Sequence, residues 1–400
     1  MEEITALRKI ANNIGLGEYP QELEPFYERQ KESMEPACDL QLIQALQEKY
    51  DLFGDYYNLV VQSAEMINAD PDLNTWVRTA ALFHKENSMS VACKLPGPDI
   101  SENVATNFML LHIMMPMIQE AFKLMEERGF SWEELEDARG AYKSGIASVA
   151  RRTGTPGMNN SYFSWLNRYC RAMIFRISGF RFEIQQFPAP ALWIRNRKSG
   201  QILPLMDALF YRDGSMRLGA KNFEDPEGSF EANFSEDEQN YYGHACINHV
   251  TDKEKKVYPK TQWECVARPG DYCLGMHIPA KADVSTEATM RACEDAIELA
   301  RQRFPEYNVT SAVYCSSWLL NPRLKEIQGP QSKIAQFQDC FVKYPNRDMN
   351  ATAVFSFVFA RKPENLEDLE EDTSLQRKLK KIYLDGDCIH VYSGVIFVEE

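Results

Sequence analysis

Hydrophobic positions in the first 170 residues recur at spacings of three and four. Between Asp39 and Met66 the apolar set is Leu42, Ile43, Leu46, Tyr50, Leu52 and Phe53. Between Asp72 and Lys85 it is Leu73, Trp76, Val77, Ala80 and Ala81. This period gathers apolar side chains on one face of a helix. Phe108–Glu127 also reads as a helix, with Gly129 beyond it as a stop. Its apolar stretch is interrupted by His112, Pro116, Gln119 and Glu120, so a protein core is expected around it rather than a bilayer. Ser131-Trp-Glu-Glu134 has the spacing of a capping box and predicts a helix running to about Arg152, ended by the loop 153–157. A last helix is expected from Ser161 to about Ile177.

After Gly179 the period shortens to two. Phe180–Ile184 and Ala191–Arg195 alternate as half-buried strands do. Asp213-Gly214, inside Tyr211–Ser215, carries a hairpin signal. Strands are expected over His244–Val250 and Gln262–Val266. From Asp271 strands and helices take turns: strand Tyr272–Ile278, helix Ser285–Phe304, strand Thr310–Cys315, helix Gln331–Tyr344, strand Ala353–Phe359, helix Thr373–Tyr383 and strand Cys388–Val398. The acidic segment Glu364–Asp372 reads as a solvated loop. Hairpins first and βαβ units later predict an α+β fold. A helical N-terminal domain, 1–172, precedes a mixed sheet with packed helices, 173–400.

Charge narrows the function. The chain of 400 residues carries a net charge of −14 and no basic stripe, which argues against a nucleic-acid partner and against an anionic membrane surface. Ten cysteines lie scattered without a CxxC pair, so reduced thiols are expected, and neither a disulfide framework nor a zinc ribbon. The N-terminal MEEITALRKI lacks the basic-then-apolar layout of a signal peptide, and a cytoplasmic location is expected. His244, Cys246 and His249 invite a metal reading. On a strand, 244 and 246 share a face and 249 points away, no fourth ligand is evident, and no metal is expected. The sequence carries no signature of an oligomeric state.

Several short motifs stand in a particular order. They are Phe175-Arg-Ile-Ser-Gly-Phe-Arg-Phe-Glu183, Gly270-Asp-Tyr-Cys-Leu-Gly-Met-His-Ile-Pro279, the helix 285–303, Ser317-Trp-Leu-Leu320 and Ser332-Lys-Ile-Ala-Gln-Phe337. Together they resemble a family of acyltransferases that pairs a helical N-acyltransferase N-terminal domain with a GNAT-like C-terminal domain. The resemblance implies an acyl-CoA-dependent N-acyltransferase, with acetyl-CoA or another acyl-CoA as co-substrate and a small-molecule amine as acceptor. The strand ending in His277-Ile278-Pro279 would splay from its neighbour and pair with the pantetheine arm. Ala280, Lys281, Ser285 and Thr286 would face the pyrophosphate, as the N–H groups of a helix start favour anions. GNAT proteins usually have a basic, glycine-rich loop there. Here the loop has no glycine and carries Asp283, with Glu287 in the first helical turn. These carboxylates oppose phosphate, and the alternative is a noncatalytic GNAT-like module that binds a small molecule or a protein.

Direct attack of an amine on a thioester needs a base, donors for the carbonyl oxygen, and an acid for the leaving thiolate. His277 is the leading candidate base; a core histidine bonded to a carbonyl is the bland reading. Glu183 is the second, against an ion pair with Arg181 on the same strand face. Ser317 could bond substrate or cap the strand end, and Trp318 could touch substrate or fill the core. Ser332 and Lys333 could hold an anion, or Ser332 could be an N-cap. Tyr344 lies near where GNAT enzymes often keep a tyrosine acid. Cys315 lies inside an apolar strand, where thiols are usually inert.

Overall fold

In the computed structural model, Asp39, Asp70 and Asn159 each turn a side-chain oxygen onto the free amide groups of the helix that follows. The first turn of a helix lacks backbone partners for these groups, which is why short polar side chains stand there. The structure describes residues 5–188, 190–212, 214, 228–247, 250–345, 353–359 and 364–399. It divides into two units, Met1–Phe175 and Arg176–Glu400.

Among the described residues the first unit holds ten α-helices: α1 (Ala6–Asn13), α2 (Glu24–Gln30), α3 (Leu40–Tyr50), α4 (Tyr57–Ala69), α5 (Pro71–Glu86), α6 (Met89–Ala92), α7 (Val104–Asn107), α8 (Met109–Glu127), α9 (Glu136–Thr153) and α10 (Asn160–Cys170). Helix α8 is the centre of this unit and packs on α5 and α10. Trp76, Phe83, Ile113 and Phe163 are fully buried around it. No described helix is long and apolar enough to cross a membrane. Ser131 and Glu134 do exchange the two capping bonds, but these close a turn, and α9 begins only at Glu136. The last helix stops at Cys170 because Ala172 takes a φ of 52°, and Ile174–Ile177 is a strand rather than a helix end.

Among the described residues the strands are β1 (Ile174–Ile177), which crosses the unit boundary, β2 (Phe180–Gln186), β3 (Ala191–Asn196), β4 (Ile202–Met206), β5 (Ala208–Phe210), β6 (Phe230–Ala232), β7 (Ser235–Glu236), β8 (Asn240–Ile247), β9 (Val250–Thr251), β10 (Lys256–Pro259), β11 (Trp263–Ala267), β12 (Tyr272–His277), β13 (Ala312–Ser317), β14 (Val342–Pro345) and β15 (Tyr392–Phe397). One sheet runs β1-β2-β12-β13-β15-β14 and a second runs β10-β8-β4-β3-β11. Phe187, Trp193 and Met206 meet Cys273, Ala312, Tyr344 and Val395 in one buried cluster, so residues of both sheets share a core.

The helices of this unit are α11 (Thr286–Arg303), α12 (Pro322–Gln328), α13 (Lys333–Asp339), α14 (Ala353–Val358) and α15 (Ser374–Leu384). Strands β12 and β13 pair in parallel, joined by α11; the other described pairs between β12, β13, β14, β15 and β2 are antiparallel. Two sequence expectations fail here. The helix expected over 331–344 ends at Asp339, and Val342–Pro345 is an edge strand. The strand expected over 353–359 is helix α14, which buries Val354, Phe355 and Phe359 against Leu379 and Ile382 of α15. Its sequence is apolar at nearly every position, so period alone cannot separate strand from helix. Asp213 of the expected hairpin and His249 of the metal reading lie outside the described residues.

Candidate functional site

The seam between β12 and β13 opens. Each strand is six residues long, yet the two share register pairs only at Leu274–Val313 and Gly275–Tyr314 among the described residues. On its other side β12 pairs with β2 from Tyr272 to His277, and β13 pairs with β15 from Ala312 to Ser317. Both strands are therefore held along their whole length, and only the parallel seam parts. Beyond Gly275 and Tyr314 no register pair joins the two strands among the described residues, which leaves an unpaired wedge at the C-terminal ends of the parallel strands. This is where open sheets with crossover helices place ligands.

Glu183 and His277 meet at this wedge. Gly275 stands opposite Glu183 and His277 opposite Arg181, so Glu183 and His277 are diagonal neighbours on one face of the sheet. His277 Nε2 lies 2.9 Å from Glu183 Oε2. The carboxylate side chain is 3% exposed and the imidazole 31%. An ionised carboxylate can only accept, so Nε2 carries the proton and the lone pair sits on Nδ1. The two candidate bases of the sequence are thus one hydrogen-bonded pair. The carboxylate orients the ring.

After β12 the chain turns at Pro279–Ala282, with the Ala282 N–H bonded to the Pro279 carbonyl at 3.1 Å. Lys281 takes a φ of 70°, in the left-handed region that usually calls for glycine. Ala280, Lys281 and Thr286 are exposed, and Ser285 caps α11 by accepting from the Ala288 N–H. Asp283 does not stand alone: its Oδ1 accepts from the Ser285 N–H at 3.2 Å and from Lys333 Nζ at 3.0 Å. The Lys333 bond holds its carboxyl below the ordinary aspartate range, with help from the Ser285 N–H. One of the two carboxylates that oppose an anion is thereby offset by a lysine from α13.

The remaining candidates take structural roles. Ser317 Oγ accepts from the Leu319 N–H and caps the turn 318–320. Trp318 fills an apolar cluster with Leu324, Val354 and Ile382. Ser332 is the N-cap of α13. Tyr344 is 2% exposed in the core between the sheets, and burial pushes its phenol well above its usual range. Cys315 is also buried, and desolvation pushes its thiol up to about 12. His244 is a core histidine, its Nδ1 within 3.1 Å of the Asp252 carbonyl. Among the described residues no cluster of His, Cys, Asp and Glu could hold a metal ion. The sequence reading missed Tyr314, whose hydroxyl is 3.0 Å from Ser393 Oγ and which stands opposite Gly275 at the mouth of the wedge.

Comparison with known proteins bears on the fold. Residues 201–396 match the family described as GNAT-like C-terminal domain. No curated protein matches the chain by sequence. Among solved structures, an acyltransferase variant in complex with octanoyl-CoA is 14% identical with a TM-score of 0.64, over 99% of this chain and 100% of that one. An acyltransferase in complex with decanoyl-CoA and teicoplanin is 15% identical with a TM-score of 0.62, over the same shares. At this identity the likeness is one of fold. The chain has a helical N-terminal part followed by a GNAT-like mixed-sheet domain, an α+β architecture.

Proposed function

We propose, from the premise that its C-terminal part is a GNAT-like domain, that this protein is an acyl-CoA-dependent acyltransferase acting on the amine of a small molecule. The observation that carries the reading is the Glu183–His277 pair beside the open seam of β12 and β13. In it the pantetheine arm lies in the wedge and bonds the backbone near Ile278 and Pro279. The phosphates lie over the turn 279–282 and the start of α11, where free N–H groups and Lys281 favour anions. His277 Nδ1 takes a proton from the acceptor amine as its nitrogen attacks the thioester carbonyl. The tetrahedral adduct collapses, the carbon–sulfur bond breaks, and CoA leaves as a thiol after taking up a proton. Glu183 steadies the imidazolium formed in the first step, as a buried carboxylate does for a general base. Solved proteins of this fold bound to CoA esters support the choice of co-substrate, and one of them holds teicoplanin as a bulky small-molecule partner.

The noncatalytic reading drew on the acidic loop, and the Asp283–Lys333 ion pair removes part of its support. Thermal shift with acetyl-, octanoyl- and decanoyl-CoA separates the two. A ligand that binds the folded state at about 100 times its Kd adds about 2.7 kcal/mol of stability. A dose-dependent rise in Tm is expected, followed by thiol release when an amine acceptor is supplied. His277→Ala should bind the thioester normally and lose at least tenfold in kcat. No shift with any CoA ester at millimolar concentration would rule out the acyltransferase.

A further inference from the structure

The face of β12 that carries His277 is shared by side chains of its two neighbours. Arg181, Glu183 and Gln185 of β2 stand opposite His277, Gly275 and Cys273, and Tyr314 of β13 stands opposite Gly275. Cross-strand partners lie on one face of a sheet, so Glu183, Gln185, His277 and Tyr314 all stand around Gly275 on the same side. Gly275 is the last residue of the seam to pair with β13 among the described residues. It has no side chain to fill the middle of this ring.

Gln185 fills it instead. A Cβ placed on Gly275 would lie 2.8 Å from Gln185 Nε2, 2.9 Å from its Cδ and 3.1 Å from its Oε1. All three separations are shorter than van der Waals contact, so the amide group lies over the Gly275 Cα. Farther along the same face the space is closed by rings. Phe187 meets Tyr314 with centroids 6.2 Å apart and Trp193 with centroids 5.9 Å apart, and Trp193 meets Tyr344 at 6.1 Å. Phe187, Trp193 and Tyr344 are buried in one cluster with Cys273, Ala312 and Val395. An interior packed in this way admits a chain of methylenes only by displacing a side chain. The half-buried Gln185 is the polar boundary of that interior. A methylene chain pressed against its amide would strip water from the donors and acceptor and return no hydrogen bond.

We propose that Gln185 sets the length of the acyl group, and that the site beside Glu183 and His277 takes acetyl-sized thioesters in preference to longer ones. The inference rests on the acyltransferase reading of the same site. The thioester carbonyl has to lie within reach of the amine that His277 deprotonates, at the seam beyond Gly275. An acetyl methyl ends against the Gln185 amide. Each further methylene along the sheet face has to push that amide aside, and behind it stand Tyr314 and Phe187.

The test is calorimetric binding of free CoA, acetyl-CoA and octanoyl-CoA to the full chain, which needs no acceptor. Octanoyl-CoA should bind at least about tenfold more weakly than acetyl-CoA. Gln185→Ala removes the amide and its last methylene and should narrow that gap to less than about threefold, whereas Gln185→Met, of similar length, should keep it. Free CoA should bind the wild type and both variants alike, which also reports that the variants fold. Equal affinity for acetyl- and octanoyl-CoA, or a gap that Gln185→Ala leaves unchanged, would overturn the length limit and leave the acyltransferase reading standing. Absence of binding by free CoA and by both esters would overturn that reading, and the length limit with it.

Discussion

Lowering the pH from 7 to 5 destabilises the helical unit through two buried histidines. His84 is fully buried and His112 is 2% exposed. His84 Nε2 is 2.7 Å from Asn167 Oδ1 and His112 Nε2 is 3.1 Å from Ser63 Oγ. Burial pushes His84 down from 6.5 to about 4 and His112 to about 3. A histidine in the unfolded chain titrates near 6.5. Below that pH the unfolded state binds protons that the folded state refuses, so stability falls with pH. It is whole above 6.5, and the loss stops growing near pH 4 for His84 and near pH 3 for His112.

At pH 5 each histidine has cost about 2 kcal/mol, the product of about 1.4 kcal/mol per unit and 1.5 units, and the pair about 4 kcal/mol. That is a large share of a typical domain stability of about 5–15 kcal/mol. The bond from Lys143 holds Asp51 below the ordinary aspartate range, so this carboxyl lies outside the window. Hydrogen exchange read on peptides of α5 and α8 at pH 7 and 5, corrected for intrinsic rate, measures the loss in this unit. His84→Gln and His112→Gln should each remove about half of the pH dependence. An opening free energy that changes by less than about 1 kcal/mol between the two pH values, or variants that keep the full slope, would refute the argument.

Three further outcomes are expected. Glu183→Gln keeps the shape of the pair and loses a charge-assisted hydrogen bond worth about 1.5–3 kcal/mol, so kcat should fall about tenfold to a hundredfold with the Kd for acyl-CoA unchanged; steady-state kinetics with a calorimetric Kd checks this. Asp283→Asn removes a negative charge from the loop and frees Lys333, so acyl-CoA should bind about two- to fivefold tighter at low salt, an advantage that shrinks at high salt. Gly394→Ala puts a Cβ 2.9 Å from Phe341 Cβ, and this overpacking should cost about 1–3 kcal/mol, read as a lower urea midpoint with an unchanged slope.

Amphipathic helices of the first unit were legible because one face is buried and the other is wet, whereas strands such as β12 and β15 are buried on both faces and were legible as short apolar runs. Period three-to-four marks α3 and α5, and period two marks β2 and β3. Where apolar residues also stand on the wet face the period vanishes, and Ala353–Phe359, with Phe357 75% exposed, was misread for that reason. Ile174–Ile177 was misread for another: the chain leaves the helix through a left-handed Ala172, a residue type with no preference for that conformation. Helices α1 and α2 are short and were not picked out of the pattern at all.

The site divides along the same line. The end of β12 and the cap at Ser285 were readable, because each is written within a few neighbouring residues. What converts them into a site is written far apart. Glu183 and His277 are 94 positions apart, and only the antiparallel register of β2 and β12 makes two candidate bases into one oriented pair. The partner of Asp283 comes 50 positions later, and without it the loop reads as hostile to phosphate. The same loop with Lys333 in place carries one opposing charge fewer, and the absent glycine is matched by a Lys281 that adopts the glycine conformation. The departure of this loop from the usual composition is therefore smaller in physical terms than in letters. An anion site is set by the charges and N–H groups that converge on it, and those are fixed by the fold as a whole.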